Sequence, residues 1–291
     1  MTSLTLSRRT VLLGAAAGIG AVTLAACSSP DITRSAVSAP SAAGILPSPH
    51  VHAIARDPGD GKVYLATHHG LFRYESTGPV PVGAVIDLMG FTIAGPGRFY
   101  ASGHPGPGVD LPQPVGLIES TDSGATWQVR SRAGISDFHT LTASTAGVLG
   151  FDGALLASRD AQTWTKQQIP AEPRSLAAAP DGSRVLATTA GGVLTSSDHG
   201  ASWSPLPKAP LLLLTAWADA ATVVGVTPDG GLHVSHDRAG TWTASLANIG
   251  SGSQALSATS GGGAREILVV AQHGFYRSND WGATMTPLAS L

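Results

Sequence analysis

The sequence has a single cysteine, Cys27, among 291 residues, and it has few charged or aromatic side chains. One cysteine leaves no second thiol for an intrachain disulfide. Charged residues make up 12% of the chain, the formal net charge is −2, and no run of Lys or Arg follows the first ten residues, which argues against a nucleic-acid partner. Glycine and proline are abundant, with 36 and 20 residues. This composition favours short strands joined by tight turns, and therefore an all-β fold.

The N-terminus has the organisation of an export signal. Arg8 and Arg9 precede an uncharged stretch, residues 11–24, that is too short to span a membrane comfortably. The segment Leu24-Ala-Ala-Cys27 resembles a bacterial lipobox, in which the cysteine is acylated and becomes the first mature residue. The resemblance implies a protein anchored by lipid at Cys27 to the outer face of the cytoplasmic membrane.

The segments before the folded region can also be assigned. Ser7-Arg-Arg-Thr-Val-Leu12 resembles a twin-arginine signal with Val in the place of the usual Phe, so the twin-arginine and general secretory routes both stay open. Residues 28–48 are rich in Ser, Ala and Pro, a composition typical of a flexible tether. We therefore divide the chain into a signal peptide (1–27), a tether (28–48) and a folded region (49–291).

The folded region contains a repeated peptide with a Ser-x-Asp core, here called a box. Two copies are nearly identical, Ser120-Thr-Asp122-Ser-Gly124-Ala-Thr126-Trp127 and Ser196-Ser-Asp198-His-Gly200-Ala-Ser202-Trp203. Three more degenerate copies are centred on Asp160, Asp237 and Asp280. The five aspartates are separated by 38, 38, 39 and 43 residues, a spacing that suits a four-stranded propeller blade.

The composition of the box suits a turn between two strands. The aspartate can accept backbone N–H groups and the serine hydroxyl, the glycine can adopt a positive φ, and the tryptophan can pack between blades. We therefore interpret Asp122, Asp160, Asp198, Asp237 and Asp280 as structural residues. The box around Asp160 lacks the glycine and is one residue shorter, and the last box has Met285 in place of tryptophan.

These boxes resemble the BNR or Asp-box repeat family, which includes sialidases, other glycoside-hydrolase-like propellers, sortilin-type receptors and photosystem assembly factors. The resemblance implies a single β-propeller. Counting strands from each box gives six blades, with seven as an alternative if two short blades have been merged, and the first blade has no box. A wider resemblance, to actinobacterial lipoproteins labelled glycosyl-hydrolase-like, lies in residues 50–52, 66–72, 102–108 and 137–139.

Strand direction sorts the loops of a propeller onto two faces. Turns between the second and third strands, and connections from one blade to the next, share one face, while the boxes lie on the other. Seven of the ten histidines fall on the first face, and we take them as ligand-binding candidates: His50, His52, His68, His69, His104, His139 and His273. The remaining three, His199, His233 and His236, lie in or beside boxes and are expected at the surface.

Three functions fit this face. A binding module would need only the face, the tether and a glycan or protein partner. A glycoside hydrolase would need paired carboxylates, for which Asp110, Asp137, Asp152 and Asp87 are candidates. A sialidase needs a cluster of arginines to bind the carboxylate of its substrate. Only Arg174 falls clearly on this face, so a sialidase is disfavoured. A metal-binding protein could hold Zn or Cu through His68, His69, His104 or His139. We expect a monomer.

Overall fold

The chain forms a six-bladed β-propeller in which each blade is a four-stranded antiparallel sheet. The computed structural model describes residues 35–36, 44–261 and 264–290. The predicted signal peptide and the predicted acylation site, Cys27, lie outside the described residues. Within the described residues, no helix is long and apolar enough to cross a membrane. The all-β fold and the count of six blades predicted from the sequence are confirmed.

Each blade is built from four strands that follow one another in the chain. Blades one to three comprise β2 (Val51–Arg56), β3 (Val63–Thr67), β4 (Gly70–Glu75) and β5 (Gly78–Val82); β6 (Ile86–Gly95), β7 (Arg98–Pro105), β8 (Leu117–Ser120) and β9 (Gln128–Ser131); and β10 (Thr140–Ser144), β11 (Gly147–Phe151), β12 (Leu155–Ser158) and β13 (Thr165–Gln167). Blades four to six comprise β14 (Ser175–Ala178), β15 (Val185–Thr189), β16 (Gly192–Ser196) and β17 (Ser204–Pro205); β18 (Leu214–Trp217), β19 (Val223–Val226), β20 (Gly231–Ser235) and β21 (Thr243–Asn248); and β22 (Ala255–Gly261), β23 (Ala264–Ala271), β24 (Gly274–Ser278) and β25 (Thr286–Ala289). A further short strand, β1 (Ser35–Ala36), pairs in parallel with β21.

The apolar cores lie between blades, because each blade has an apolar face on either side. The second and third strands are the most deeply buried, and β3, β12, β15 and β19 contain only buried residues. Between blades two and three, Phe138 and Leu141 pack against Tyr100 and Leu117. Trp164 from the box of blade three covers this cluster, with its ring 5.1 Å from that of Phe138. The predicted position of the box tryptophan between blades is confirmed here.

The boxes close the turn between the third and fourth strands by hydrogen bonds to the aspartate. Asp122 Oδ1 accepts from the Ser120 hydroxyl at 2.7 Å and from the Thr126 amide at 2.9 Å, and Oδ2 accepts from the Thr126 hydroxyl at 2.6 Å. At the corresponding Asp198, hydrogen bonds led by the Ser202 hydroxyl lower the pKa to about 2. The box aspartates are therefore ionised, satisfied turn residues.

The box backbone carries two consecutive left-handed residues. Gly124 has φ +88° as predicted, and the preceding Ser123 has φ +56°. In blade four the preceding residue is His199, with φ +57°, and its side chain is only 7% exposed. The expectation of a surface histidine is wrong for His199, because this backbone conformation turns the side chain toward blade three, where it lines a pocket with Ser158 and Arg159. His236 is exposed as expected.

The ring is closed between blades six and one by contacts from several strands. Arg56 at the end of β2 donates two hydrogen bonds of 2.6 Å to the carboxylate of Glu266 in β23, and Glu266 is 8% exposed. At the other end of β2, the Gln254 side chain accepts from the Val51 amide at 2.8 Å. On the outside, Ile45 pairs in parallel with Ser290, so residues from the predicted tether segment form the edge of blade six.

Blade one has no box, and a buried aspartate in its first turn joins it to blade two. Asp57, which is fully buried, follows β2. Its Oδ1 accepts from the amides of Gly59 at 2.8 Å and Gly97 at 3.0 Å, and its Oδ2 accepts from the Ser123 hydroxyl at 2.8 Å. One carboxylate thus joins a turn of blade one to a turn and the box of blade two.

Substitution of Asp57 by Ala is expected to lower the free energy of unfolding by about 3 kcal/mol, because it removes three hydrogen bonds to a fully buried carboxylate. Asp181 lies in the turn between the first two strands of blade four but is exposed. Its hydrogen bonds go to Ser183 in its own turn, and its one ion-pair contact is the exposed Arg238, 4.0 Å away. Asp181→Ala should therefore cost less than about 1 kcal/mol. Denaturant unfolding of both variants measures the difference, and equal losses would contradict the role assigned to Asp57.

His199 is expected to make stability depend on pH. Burial lowers its pKa below the ordinary value of 6.5, so on acidification the unfolded chain takes up a proton before the folded protein does. The contribution of the neutral imidazole to stability is complete above pH 6.5 and is lost as the pH falls below it. His199→Ser, which copies the box of blade two, should retain more of its unfolding free energy between pH 7.5 and about 5. His236→Ser at an exposed position is the control, and an unchanged pH profile for His199→Ser would refute this assignment.

Candidate functional site

The histidine and aspartate side chains predicted as site candidates lie on one face of the propeller. We call it the histidine face. It is formed by the turns between the second and third strands and by the connections between blades. His50 and His52 lie at the start of β2, and His68 and His69 lie in the turn before β4. Further members are distributed over blades two, three and six: His104 at the end of β7, Asp110 between β7 and β8, Asp137 and His139 before β10, Asp152 after β11, and His273 between β23 and β24.

The closest group on this face consists of two histidines and one aspartate. Nε2 of His52 lies 3.1 Å from Nε2 of His68, and Nδ1 of His68 lies 2.8 Å from Oδ1 of Asp87. The ligand-type atoms of the three residues all lie within 4.8 Å of one another. His50 stands beside this group, with its ring centroid 5.8 Å from that of His68. We call His52, His68 and Asp87 the imidazole triad.

Pairing of neighbouring strands produces the triad. Val51 lies opposite Thr67 in the ladder between β2 and β3, and a bulge follows at Val51 and Ala53, so His52 faces the turn that carries His68. Asp87 is the second residue of β6, the first strand of the next blade. The triad therefore spans blades one and two.

The electrostatics of the triad keep His52 uncharged at neutral pH. Burial lowers the pKa of His52 from 6.5 to about 4, and the neighbouring His68 acts in the same direction. A neutral imidazole keeps one nitrogen lone pair available as an acceptor or a metal ligand. The side chains of His68 and Asp87 are 38% and 30% exposed, so the group is open to solvent from one side.

A second group is centred on Asp137. Oδ2 of Asp137 lies 2.7 Å from Nε2 of His139 and 3.1 Å from Nε2 of His104, so one carboxylate oxygen serves two imidazoles. Oδ1 of Asp137 and Nδ1 of His104 are buried without a hydrogen-bond partner within the described part of the chain. This arrangement fixes the aspartate between blades two and three.

The remaining candidates lie apart from these two groups. His69 and His273 are exposed, and so is Asp110. Asp152 accepts a hydrogen bond of 2.5 Å from the buried Ser136 hydroxyl, and the Arg132 guanidinium lies 3.8 Å away, so its carboxylate stabilises the connection between blades two and three. Five of the predicted candidates therefore lie in the two groups: His52, His68, His104, Asp137 and His139. His69 belongs to neither group, although it is next to His68 in the sequence.

The first strands of all six blades line a central cavity of about 1010 Å³. At the histidine face its lining includes His50, His52, His139 and Arg174. Toward the box face the lining includes Arg56 and Arg98, which form ion pairs with Glu266 and Glu119. Both groups of histidines therefore border the mouth of a cavity large enough for a ligand or a peptide segment.

The contact of Asp87 with His68 is not predicted from the sequence, where Asp87 is a candidate only for glycoside hydrolysis. The available signal was positional. Asp87 and His52 are both near the start of the first strand of a blade, and first strands lie side by side around the axis. In the structure Asp87 is also the direct cross-strand partner of His104, which links the two groups of the histidine face.

No protein-family model matches the sequence. No curated protein sequence matches it either. Solved structures are similar at the level of the fold. An ancestral GH74 enzyme superposes with a TM-score of 0.53 at 12% identity, over 85% of this chain and 39% of that one. YCF48 bound to a D1 peptide gives a TM-score of 0.52 at 15% identity, over 78% and 92% of the two chains. A nidogen/laminin complex gives 0.57 at 11% identity, over 77% and 91%.

These similarities establish the β-propeller fold, because the identities are too low to carry more. The chain spans only 39% of the length of the GH74 enzyme. Activities and partners of the similar proteins therefore do not transfer through the fold.

Proposed function

We propose that this protein is an exported lipoprotein, anchored through Cys27, that binds a protein partner with its histidine face. The observation that carries the proposal is the distribution of exposed apolar side chains. Six large ones stand out among the described residues, and three of them, Val85 (49% exposed), Ile135 (71%) and Leu211 (53%), lie in connections between blades. Those connections belong to the histidine face.

The other three exposed apolar residues occupy the outer edge of the ring. Val129 and Leu246 lie in the outermost strands β9 and β21, and Ile45 pairs with the edge of blade six. The box face has no member of this set. Exposed apolar groups beside polar side chains are typical of the surfaces that proteins use to bind one another.

Two of the similar structures support a role in partner binding. YCF48 was solved with a D1 peptide, and nidogen and laminin were solved as a complex. A propeller with a central cavity and loops on a rigid ring is well suited to this task, because the loops can vary without disturbing the blades.

Glycoside hydrolysis, the alternative suggested by the GH74 similarity, is less well supported. A glycosidase needs two carboxylates facing each other across a sugar cleft. Asp137 is bound by two imidazoles, Asp152 by Ser136 and Arg132, and Asp110 is exposed on a separate loop. The fourth candidate, Asp87, is bound by His68. Each candidate carboxylate thus has a partner in the protein or stands alone.

A photo-reactive amino acid at position 135, in cells that make the full chain, should form a discrete adduct with a partner protein. The same group at position 246, on the outer strand β21, should not. Adding Val85→Asp to the chain labelled at 135 should abolish the adduct, because it puts a charge into the apolar part of the same face. Adducts of equal yield at both positions, or an adduct that survives Val85→Asp, would count against the proposed interface. All three substituted side chains are exposed, so each change should alter stability by less than about 0.5 kcal/mol.

Acylation of Cys27 can be tested by metabolic labelling with an alkyne-bearing fatty acid. The parent chain should carry the label, and Cys27→Ala should lose it completely, because the chain has no other thiol. Ser28→Ala at the adjacent position serves as the control and should be labelled like the parent. Label retained on Cys27→Ala would exclude the anchor.

A further inference from the structure

We propose that the imidazole triad is a binding site for a divalent transition metal ion, Zn²⁺ or Cu²⁺. His52 and His68 are the ligands through their Nε2 atoms, and Asp87 is a positioning residue. The inference goes beyond the proposed function and does not depend on the protein partner.

The separation of the two imidazole nitrogens fits a shared metal ion. Two zinc–nitrogen bonds of about 2.0–2.1 Å at a tetrahedral angle place their nitrogens about 3.3 Å apart. Nε2 of His52 and Nε2 of His68 are 3.1 Å apart. Nε2 of His52 also lies 3.4 Å from Nδ1 of His68, and the two rings are nearly perpendicular, at 86°. Binding therefore requires a side-chain rotation that directs the Nε2 lone pair of His68 at the ion held by His52.

Asp87 selects the form of His68 that can act as a ligand. When Nδ1–H of His68 donates to the carboxylate of Asp87, 2.8 Å away, the proton is on Nδ1 and the lone pair is on Nε2. In metal sites, the nitrogen of a ligating histidine that does not face the metal commonly donates its hydrogen to a carboxylate. This bond fixes the orientation of the ring and makes the ligating nitrogen more basic. In the metal-free protein Nε2–H of His52 can donate to Nε2 of His68. Ligation through Nε2 of His52 requires the tautomer with its hydrogen on Nδ1.

The surroundings leave coordination positions open. His52 borders the central cavity, and the side chain of His68 is 38% exposed. Water or a group of a bound molecule can fill the remaining positions of a metal ion held here. Imidazole ligands favour Zn²⁺ and Cu²⁺ over Mg²⁺ or Ca²⁺, which prefer oxygen.

The second histidine group does not offer a comparable site. Within the described residues, the imidazole triad is the group whose three ligand-type atoms come within 4.8 Å of one another. His104 and His139 instead direct their Nε2 atoms at the same oxygen of Asp137. His139 and His69 are therefore suitable controls for a metal-binding experiment.

The test is titration of the full chain, purified in detergent without a polyhistidine tag, with Zn²⁺ by calorimetry and with Cu²⁺ by electron paramagnetic resonance. We expect one ion per chain at micromolar metal, with two nitrogen ligands in the Cu²⁺ spectrum. His52→Ala and His68→Ala should each lose this binding, and His69→Ala and His139→Ala should bind like the parent. Asp87→Asn should weaken Zn²⁺ binding by about 10- to 100-fold while both nitrogen ligands stay in the spectrum.

Circular dichroism and the Tm of each metal-free variant check that it folds, and His52→Gln and His68→Gln replace any alanine variant that does not. Zn²⁺ should raise the Tm of the parent and not that of either glutamine variant. No uptake at micromolar metal would overturn the proposal. So would uptake that survives His52→Ala and His68→Ala, or a loss with His69→Ala as large as with His68→Ala.

Discussion

The structure depends on closing the ring, because a blade with two apolar faces is buried only when it has a neighbour on each side. Five of the six junctions join blades that follow each other in the chain. The junction between blades six and one joins residues about 200 positions apart, as in the hydrogen bond from the Val51 amide to Gln254. There the apolar cluster of Leu65, Val270 and Phe275 is supplemented by the ion pair of Arg56 with Glu266. Burying a carboxylate is costly without a partner, and the two hydrogen bonds from Arg56 supply that partner.

Ring closure also determines where function can reside. Since the blades must pack side by side, the second and third strands are committed to the cores. Residues that are free to vary lie in the turns at the two faces. On the box face, even the turns are used for structure, because each box aspartate satisfies several donors and Asp57 joins two blades. The histidine face has fewer such obligations, and there the exposed apolar side chains and the two histidine groups are found.

The sequence was sufficient to predict the blades but not the contacts between distant loops. The boxes repeat at nearly constant spacing, so the count of six blades and the two faces followed from periodicity and strand direction. The imidazole triad did not follow, because the approach of His52 to His68 depends on a bulge in β2, and the position of Asp87 depends on the rotation between blades. The burial of His199 was also missed, because a left-handed residue before the box glycine directs its side chain inward, which composition does not indicate.

Blades one and two are joined at both faces by carboxylates. At the box face, Asp57 accepts hydrogen bonds from Gly97 and Ser123 of blade two. At the histidine face, the contact of His68 with Asp87 joins the same two blades. An ion held by the imidazole triad would therefore sit at a junction between blades and next to the mouth of the cavity. Both ligands come from blade one and the positioning residue comes from blade two, so the affinity for the ion would depend on the packing of these two blades.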